Sequence, residues 1–280
     1  MSGDGWLTAP ASSQPLDVAL EHYRTHGYAR LGVQLSDRGL IALREQARRL
    51  MTGEVRHQGM FFQHDAPSGR YEDLTYGAGW VGPSLAYRKL EGLERDGHFR
   101  AWIENPLFRR IAAEVLGVPA LLYRAVLWNK APHGGTVLPW HQDDGRFWGI
   151  NRSPCLQLWT ALDDAGADAG CVEVLPGSHR SGLASREGGT VQATSLEEKD
   201  AESRKVQLPA RAGEVIVLHN HVWHRSGVNG TGQPRRALGF SYLHADTQCL
   251  RKRRAPRQFT RVFADTAEAA KLLATARTGG

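Results

Sequence analysis

The chain has 280 residues, 41% of them hydrophobic and 8% aromatic, and carries a formal net charge of +6. This is the composition of a globular protein able to bury a sizeable core, and it excludes a disordered, collagenous or disulfide-stapled chain. Nowhere do eighteen apolar residues run together, and the N-terminus has no basic segment followed by an apolar one, so a soluble, unexported protein with no membrane partner is expected.

The three cysteines, Cys155, Cys171 and Cys249, are widely spaced and form no Cys-x-x-Cys pair, which predicts a reducing, cytoplasmic location. The C-terminal residues form no peroxisomal address. Arg251, Lys252, Arg253, Arg254 and Arg257 make a short basic run, but no nucleic-acid module accompanies it. It reads as solvated surface, and no nucleic-acid partner is expected. Monomer and homodimer both stay open.

Residues 1 to 14 lack periodicity and read as a flexible lead-in. A helix follows with Leu16, Ala19, Leu20 and Tyr23 on one stripe, stopping at His26-Gly27, and a strand runs to Val33. Ser36 caps a second helix whose apolar face is Leu40, Leu43, Ala47 and Leu50. Residues 53 to 97 look irregular, with many Gly among scattered aromatics, and read as a lid over a substrate pocket. His57 and His64 lie there without a carboxylate at strand spacing, so they read as surface or pocket residues, and Lys89 as a solvated lysine.

Asn105-Pro106 opens another helix, closed by Gly117. From Ala120 onward short strands alternate with Gly, Pro and Asp at 121–128, 138–143, 154–162, 171–174, 206–208, 213–219 and 236–243. Residues 177 to 204 form a polar insertion, and 264 to 274 suit a short amphipathic helix in a tail that extends to 280. Strands without intervening helices exclude a doubly wound parallel sheet. The fold expected is mainly β with flanking α: one double-stranded β-helix (jelly roll) domain over 15–264, with helices packed on one side.

Chemistry concentrates at Leu138-Pro139-Trp140-His141-Gln142-Asp143-Asp144-Gly145. In an extended strand His141 and Asp143 project from the same face. A third ligand is available far downstream at His224, in Trp223-His224-Arg225-Ser226-Gly227-Val228-Asn229. Two imidazoles and one carboxylate on one side of a metal suit Fe(II) and oxygen chemistry. His219 and His221 offer a competing cupin-like His-x-His pair, and a jelly roll that only binds a ligand is the non-enzymatic alternative.

These segments, with Leu156–Asp164, Gly170–His179 and Pro234–Leu238, resemble the phytanoyl-CoA dioxygenase family of Fe(II)/2-oxoglutarate oxygenases, most specifically between Tyr123 and Tyr242. The resemblance implies Fe(II) on His141, Asp143 and His224, with 2-oxoglutarate and O2 as cosubstrates. It implies Arg235, eleven positions after His224, as the partner of the 2-oxoglutarate carboxylate, with Gln142, Trp159 and Ser226 lining the same pocket. It also places a lysine near the cosubstrate at about Lys89. The implied reaction oxidises an unactivated C–H bond of a small organic molecule and releases succinate and CO2. Related halogenases lack the carboxylate ligand, so Asp143 favours hydroxylation. Alternation puts Arg235 on one face with Ala237, Gly239 and Ser241, and Arg236 on the other with Leu238, Phe240 and Tyr242, from where it is expected to reach solvent.

Overall fold

The computed structural model describes residues 15–76, 79–117, 119–252 and 257–263. Its helical layer is built from α1 (Leu16–His26), α2 (Asp37–Thr52), α3 (Gly97–Ile103) and α4 (Pro106–Leu116). The expected caps form. Ser36 accepts from Gly39 N, Asn105 accepts from Phe108 N, and Gly27 ends α1 in the left-handed conformation with φ of 85°.

The strands make two antiparallel sheets. The larger runs in the order β1 (Tyr28–Val33), β10 (Glu214–Leu218), β6 (Leu156–Ala161), β12 (Arg235–His244), β4 (Ala120–Lys130), β3 (Tyr87–Glu91), β2 (Phe61–His64), with β13 (Thr260–Val262) also on β4. The smaller runs β8 (Gly189–Thr190), β5 (Leu138–Gln142), β11 (Trp223–Ser226), β7 (Val172–Leu175), β9 (Val206–Leu208).

Strand alternation explains the layering. Val215 and Val217, Leu156 and Leu158, and Leu238, Phe240 and Tyr242 face the helices and join Leu20, Leu43, Leu50, Trp102 and Phe108 in one core. The alternate residues Ile216, Leu218, Trp159, Ala161 and Ala237 face the smaller sheet and meet Val172, Val174 and Leu208. The result is a jelly roll with its helices on one side. The inward face of β12 is left to Arg235, Ala237, Gly239 and Ser241, so a cavity remains between the sheets beside β5 and β11.

Two stretches carry more structure than their sequence patterns indicated. Residues 53–97, expected to be irregular, contain β2 and β3, which extend the larger sheet. The polar insertion 177–204 contains β8, α5 (Ala193–Glu198) and α6 (Ala201–Arg204), and β8 pairs with the strand that carries His141. The lead-in 1–14, the expected helix 264–274, and Arg253 and Arg254 of the basic run lie outside the described residues. Among the described residues no helix is long and apolar enough to cross a membrane.

Candidate metal centre and cosubstrate pocket

His141 on β5 lies directly opposite His224 on β11, and their ring centroids are 4.0 Å apart. Asp143 follows β5 by one residue and keeps the alternation that starts at His141. Its backbone is pinned: Asp143 N donates to Asn220 O at 2.9 Å, and Asn220 Nδ2 donates back to Asp143 O at 3.0 Å. One potential ligand atom from each of His141, Asp143 and His224 lies within 4.8 Å of the others, and no other such group of three occurs among the described residues.

The hydrogen bonds select the atoms that face a metal. His141 Nδ1 is 2.8 Å from Pro139 O, and His224 Nδ1 is 2.9 Å from Val222 O. A carbonyl oxygen can only accept, so each Nδ1 carries the hydrogen and each Nε2 keeps its lone pair. Burial, followed by the neighbouring His224, pushes the His141 imidazole down to about 4, which keeps it neutral near pH 7. Burial by itself would raise the Asp143 carboxyl. The Arg124 guanidinium and the two imidazoles outweigh burial and hold it well below the usual carboxylate range. Two imidazole nitrogens and one carboxylate therefore fit a divalent iron, with the opposite side left for a chelating 2-oxo acid and dioxygen.

A cavity of about 410 Å³ adjoins the triad. Arg235 is buried on its wall, where Nη2 donates to Gly170 O at 2.8 Å while Nε has no partner. Burial pushes this guanidinium down to about 10. Ser226 and Trp159 share the wall. Gln142 lines it too, but both of its amide hydrogens are used, by Gly182 O at 2.8 Å and His221 O at 2.7 Å, and its Oε1 accepts from Ala184 N at 2.7 Å. The Gln142 amide thus ties the insertion and the 219–222 turn to β5.

Two expectations, for Lys89 and Arg236, need correcting. Lys89 is not a solvated lysine: it is half-buried on the cavity wall with Nζ 2.6 Å from Glu91. Arg236 does not end in solvent either, because Nε and Nη2 make paired bonds of 2.7 and 2.9 Å to Asp163. His219 and His221 stay out of the triad. His221 Nε2 is 2.8 Å from Asp144, and the His219 ring lies between His179, tilted against it, and His221, which it meets edge-on. His57 pairs with Asp96 at 2.9 Å, away from the cavity.

Arg124, Arg88 and Lys130 on the cavity wall were not singled out from the sequence. A signal for two of them existed, since Arg124 and Lys130 are cations of equal parity in the apolar run 121–130. Arg88 carries no such signal. It is the extra residue of a β-bulge, where Gln63 pairs with Lys89 but His64 pairs with Tyr87, and the bulge turns two consecutive side chains toward the cavity.

A jelly roll that presents two imidazoles and a carboxylate beside a buried arginine defines the class of Fe(II)/2-oxoglutarate-dependent oxygenases, which use iron, 2-oxoglutarate and O2. This chain belongs to the phytanoyl-CoA dioxygenase (PhyH) family, whose sequence model matches residues 23–237. It is 24% identical over 265 residues to the peroxisomal phytanoyl-CoA dioxygenase of Mus musculus, covering 87% of this chain and 76% of that one. It is 28% identical over 175 residues to phytanoyl-CoA dioxygenase domain-containing protein 1 of Danio rerio, covering 56% of this chain and 60% of that protein. Among solved structures, the non-heme alpha ketoglutarate dependent carbocyclase SnoK superposes with a TM-score of 0.69 at 21% identity, covering 91% of this chain and all of that one. The epimerase SnoN, solved with Fe3+, alpha ketoglutarate and nogalamycin RO, superposes with a TM-score of 0.68 at 19% identity, covering 89% and 96%. These two likenesses establish the fold.

Proposed function

We propose that this protein oxidises, by hydroxylation in the first instance, an unactivated C–H bond of a small anionic metabolite while 2-oxoglutarate is converted to succinate and CO2. The observation that carries the reading is the cross-strand pairing of His141 with His224, with Asp143 beside them, at a cavity walled by the buried Arg235. His141, Asp143 and His224 would hold the iron, which supplies dioxygen activation when bound. Arg235 stays charged and offers a planar fork to the distal carboxylate of 2-oxoglutarate, with Ser226 and Trp159 beside it. Asp143 occupies the position that a halide would need, which favours oxygen insertion.

The anionic character of the substrate follows from the remaining wall. The Arg88 and Arg124 guanidinium carbons and Lys89 Nζ lie 5.5, 6.0 and 5.3 Å from the ring centroid of Trp128. Asp143 neutralises Arg124 and Glu91 neutralises Lys89, so Arg88, whose carboxylate neighbour Asp65 stands off at 3.6 Å, is the cation that favours a negatively charged guest. The free cysteines fit a reducing compartment such as the cytoplasm. A screen of carboxylic acids against their neutral methyl esters, with Fe(II) and 2-oxoglutarate and read by succinate release, tests both parts. Stimulation by acids and not by esters is expected. Absence of any 2-oxoglutarate turnover would overturn the oxygenase chemistry, and preference for esters would overturn the substrate class.

A further inference from the structure

Lys130 and Arg235 are directly paired across β4 and β12, so both side chains leave the larger sheet on the cavity face. They are 7% and 3% exposed. Like charges directly opposite each other on antiparallel strands repel, and burial strengthens that repulsion because little solvent screens it. Neither cation has a bonded carboxylate among the described residues. Lys130 Nζ donates to Thr136 O at 2.6 Å, and Arg235 donates to Gly170 O while its Nε is unpartnered. Asp65 acts on Lys130 at longer range, but its Oδ1 already accepts from Thr136 N and Oγ1 and lies 3.6 Å from Arg88.

The lysine is also held in place. Gly135 has φ of 91°, and a Cβ there would come within 2.9 Å of Lys130 Cβ and Cγ, so the loop from β4 to β5 folds down onto the lysine stem. An unneutralised, buried, oriented pair of cations is an anion site that lacks only its anion.

We infer that Lys130 is the second cation of the site for the distal carboxylate of 2-oxoglutarate, gripping it together with Arg235. The inference rests on the assignment of Arg235 to that carboxylate. Burial, then the guanidiniums of Arg235 and Arg88, pushes the Lys130 ammonium down to about 7. A carboxylate between the two cations offsets that repulsion and keeps the lysine charged.

The test titrates the anaerobic Fe(II) protein with 2-oxoglutarate, reading the charge-transfer absorption of the chelate. A parallel titration uses 2-oxopentanoate, which has the same carbon chain and no distal carboxylate. Lys130→Met is expected to weaken 2-oxoglutarate binding about tenfold, the loss of one charge-assisted contact. It should leave 2-oxopentanoate binding unchanged, and Lys130→Arg should recover part of the loss. Equal weakening of both ligands by Lys130→Met would show a merely structural lysine and overturn the inference. So would unchanged 2-oxoglutarate affinity in Lys130→Met alongside a clear loss in Arg235→Gln. Unchanged affinity in Arg235→Gln would instead overturn the assignment of Arg235.

Discussion

Arg124 Nη2 donates to Oδ1 of Asp143 at 2.9 Å, and the other carboxylate oxygen, Oδ2, lies 3.7 Å from Nε2 of His224. One carboxylate oxygen is thus held by a half-buried cation packed between Trp128 and Trp148, while the other faces the imidazoles. The arrangement restrains Asp143 to offer one oxygen to a metal.

That restraint makes acid sensitivity a test of Arg124. Asp143 has a lowered pKa, so its carboxylate survives acidification until the pH falls through that low folded value. In Arg124→Met the chief lowering charge is gone, the carboxyl titrates at higher pH, and protons compete with the metal earlier. Mn(II) binding followed by electron paramagnetic resonance should be lost at a higher pH in the variant than in wild type. Coincident pH profiles would mean that Arg124 does not control the ligand.

His224→Ala should abolish iron binding and succinate formation, whereas His221→Ala should retain iron stoichiometry. His221 contacts Asp144, so its loss leaves a buried carboxylate without its hydrogen-bond partner and should cost about 1–3 kcal/mol of stability. Metal analysis together with chemical denaturation separates the two effects. Iron loss in His221→Ala with full iron in His224→Ala would reverse the ligand assignment.

Arg235 and Arg236 should differ in kind. Arg235→Ala should raise the 2-oxoglutarate concentration needed for turnover by roughly thirty-fold or more, the equivalent of about 2–4 kcal/mol for a two-point charged contact. Arg236→Ala breaks the bonds to Asp163, which also lies 3.1 Å from Arg44, and should cost about 1 kcal/mol of stability with little change in that concentration. Steady-state kinetics and thermal melting, run on both variants, check the split.

Gly188→Ala should loosen the insertion from the end of β5. Gly188 has φ of 74°, and a Cβ there would lie 1.7 Å from Asp144 O, next to Asp143. No side chain can yield to relieve a clash with backbone, so the turn must move. A destabilisation of about 2 kcal/mol or more and weaker iron binding are expected. A melting temperature equal to that of wild type would show that the turn is not docked this way.

Lys130 gives the stability of the ligand-free protein a pH dependence. Its folded value, about 7, lies below the ordinary 10.5, so between those values the unfolded chain binds more protons than the folded one. Stability therefore rises with pH across that window, while below about 7 both states are protonated and the full cost of burying the charge stands. Melting temperatures measured from pH 7 to 9 should show an upward contribution in wild type that is missing in Lys130→Met. Parallel curves would indicate that the lysine keeps its ordinary value.

Sequence alone determined what depends on local rules. Caps at Ser36 and Asn105, the glycine stop at Gly27, and the alternation in β6, β10 and β12 are contained within a few residues, so the jelly roll with helices on one side was legible. The proximity of His141 and Asp143 follows from period two, and the resemblance pointed to His224 and Arg235. Tertiary structure decided everything that needs pairing between distant strands. Arg88 reaches the cavity only through a bulge defined against β2, and Lys89 is drawn out of solvent onto the cavity wall only because β3 lies between β2 and β4. Lys130 becomes a partner of Arg235 only when β4 and β12, more than a hundred residues apart, come into register. A cation in sequence has no neighbours to say whether it is solvated, ion-paired or buried, and the register between distant strands supplies them.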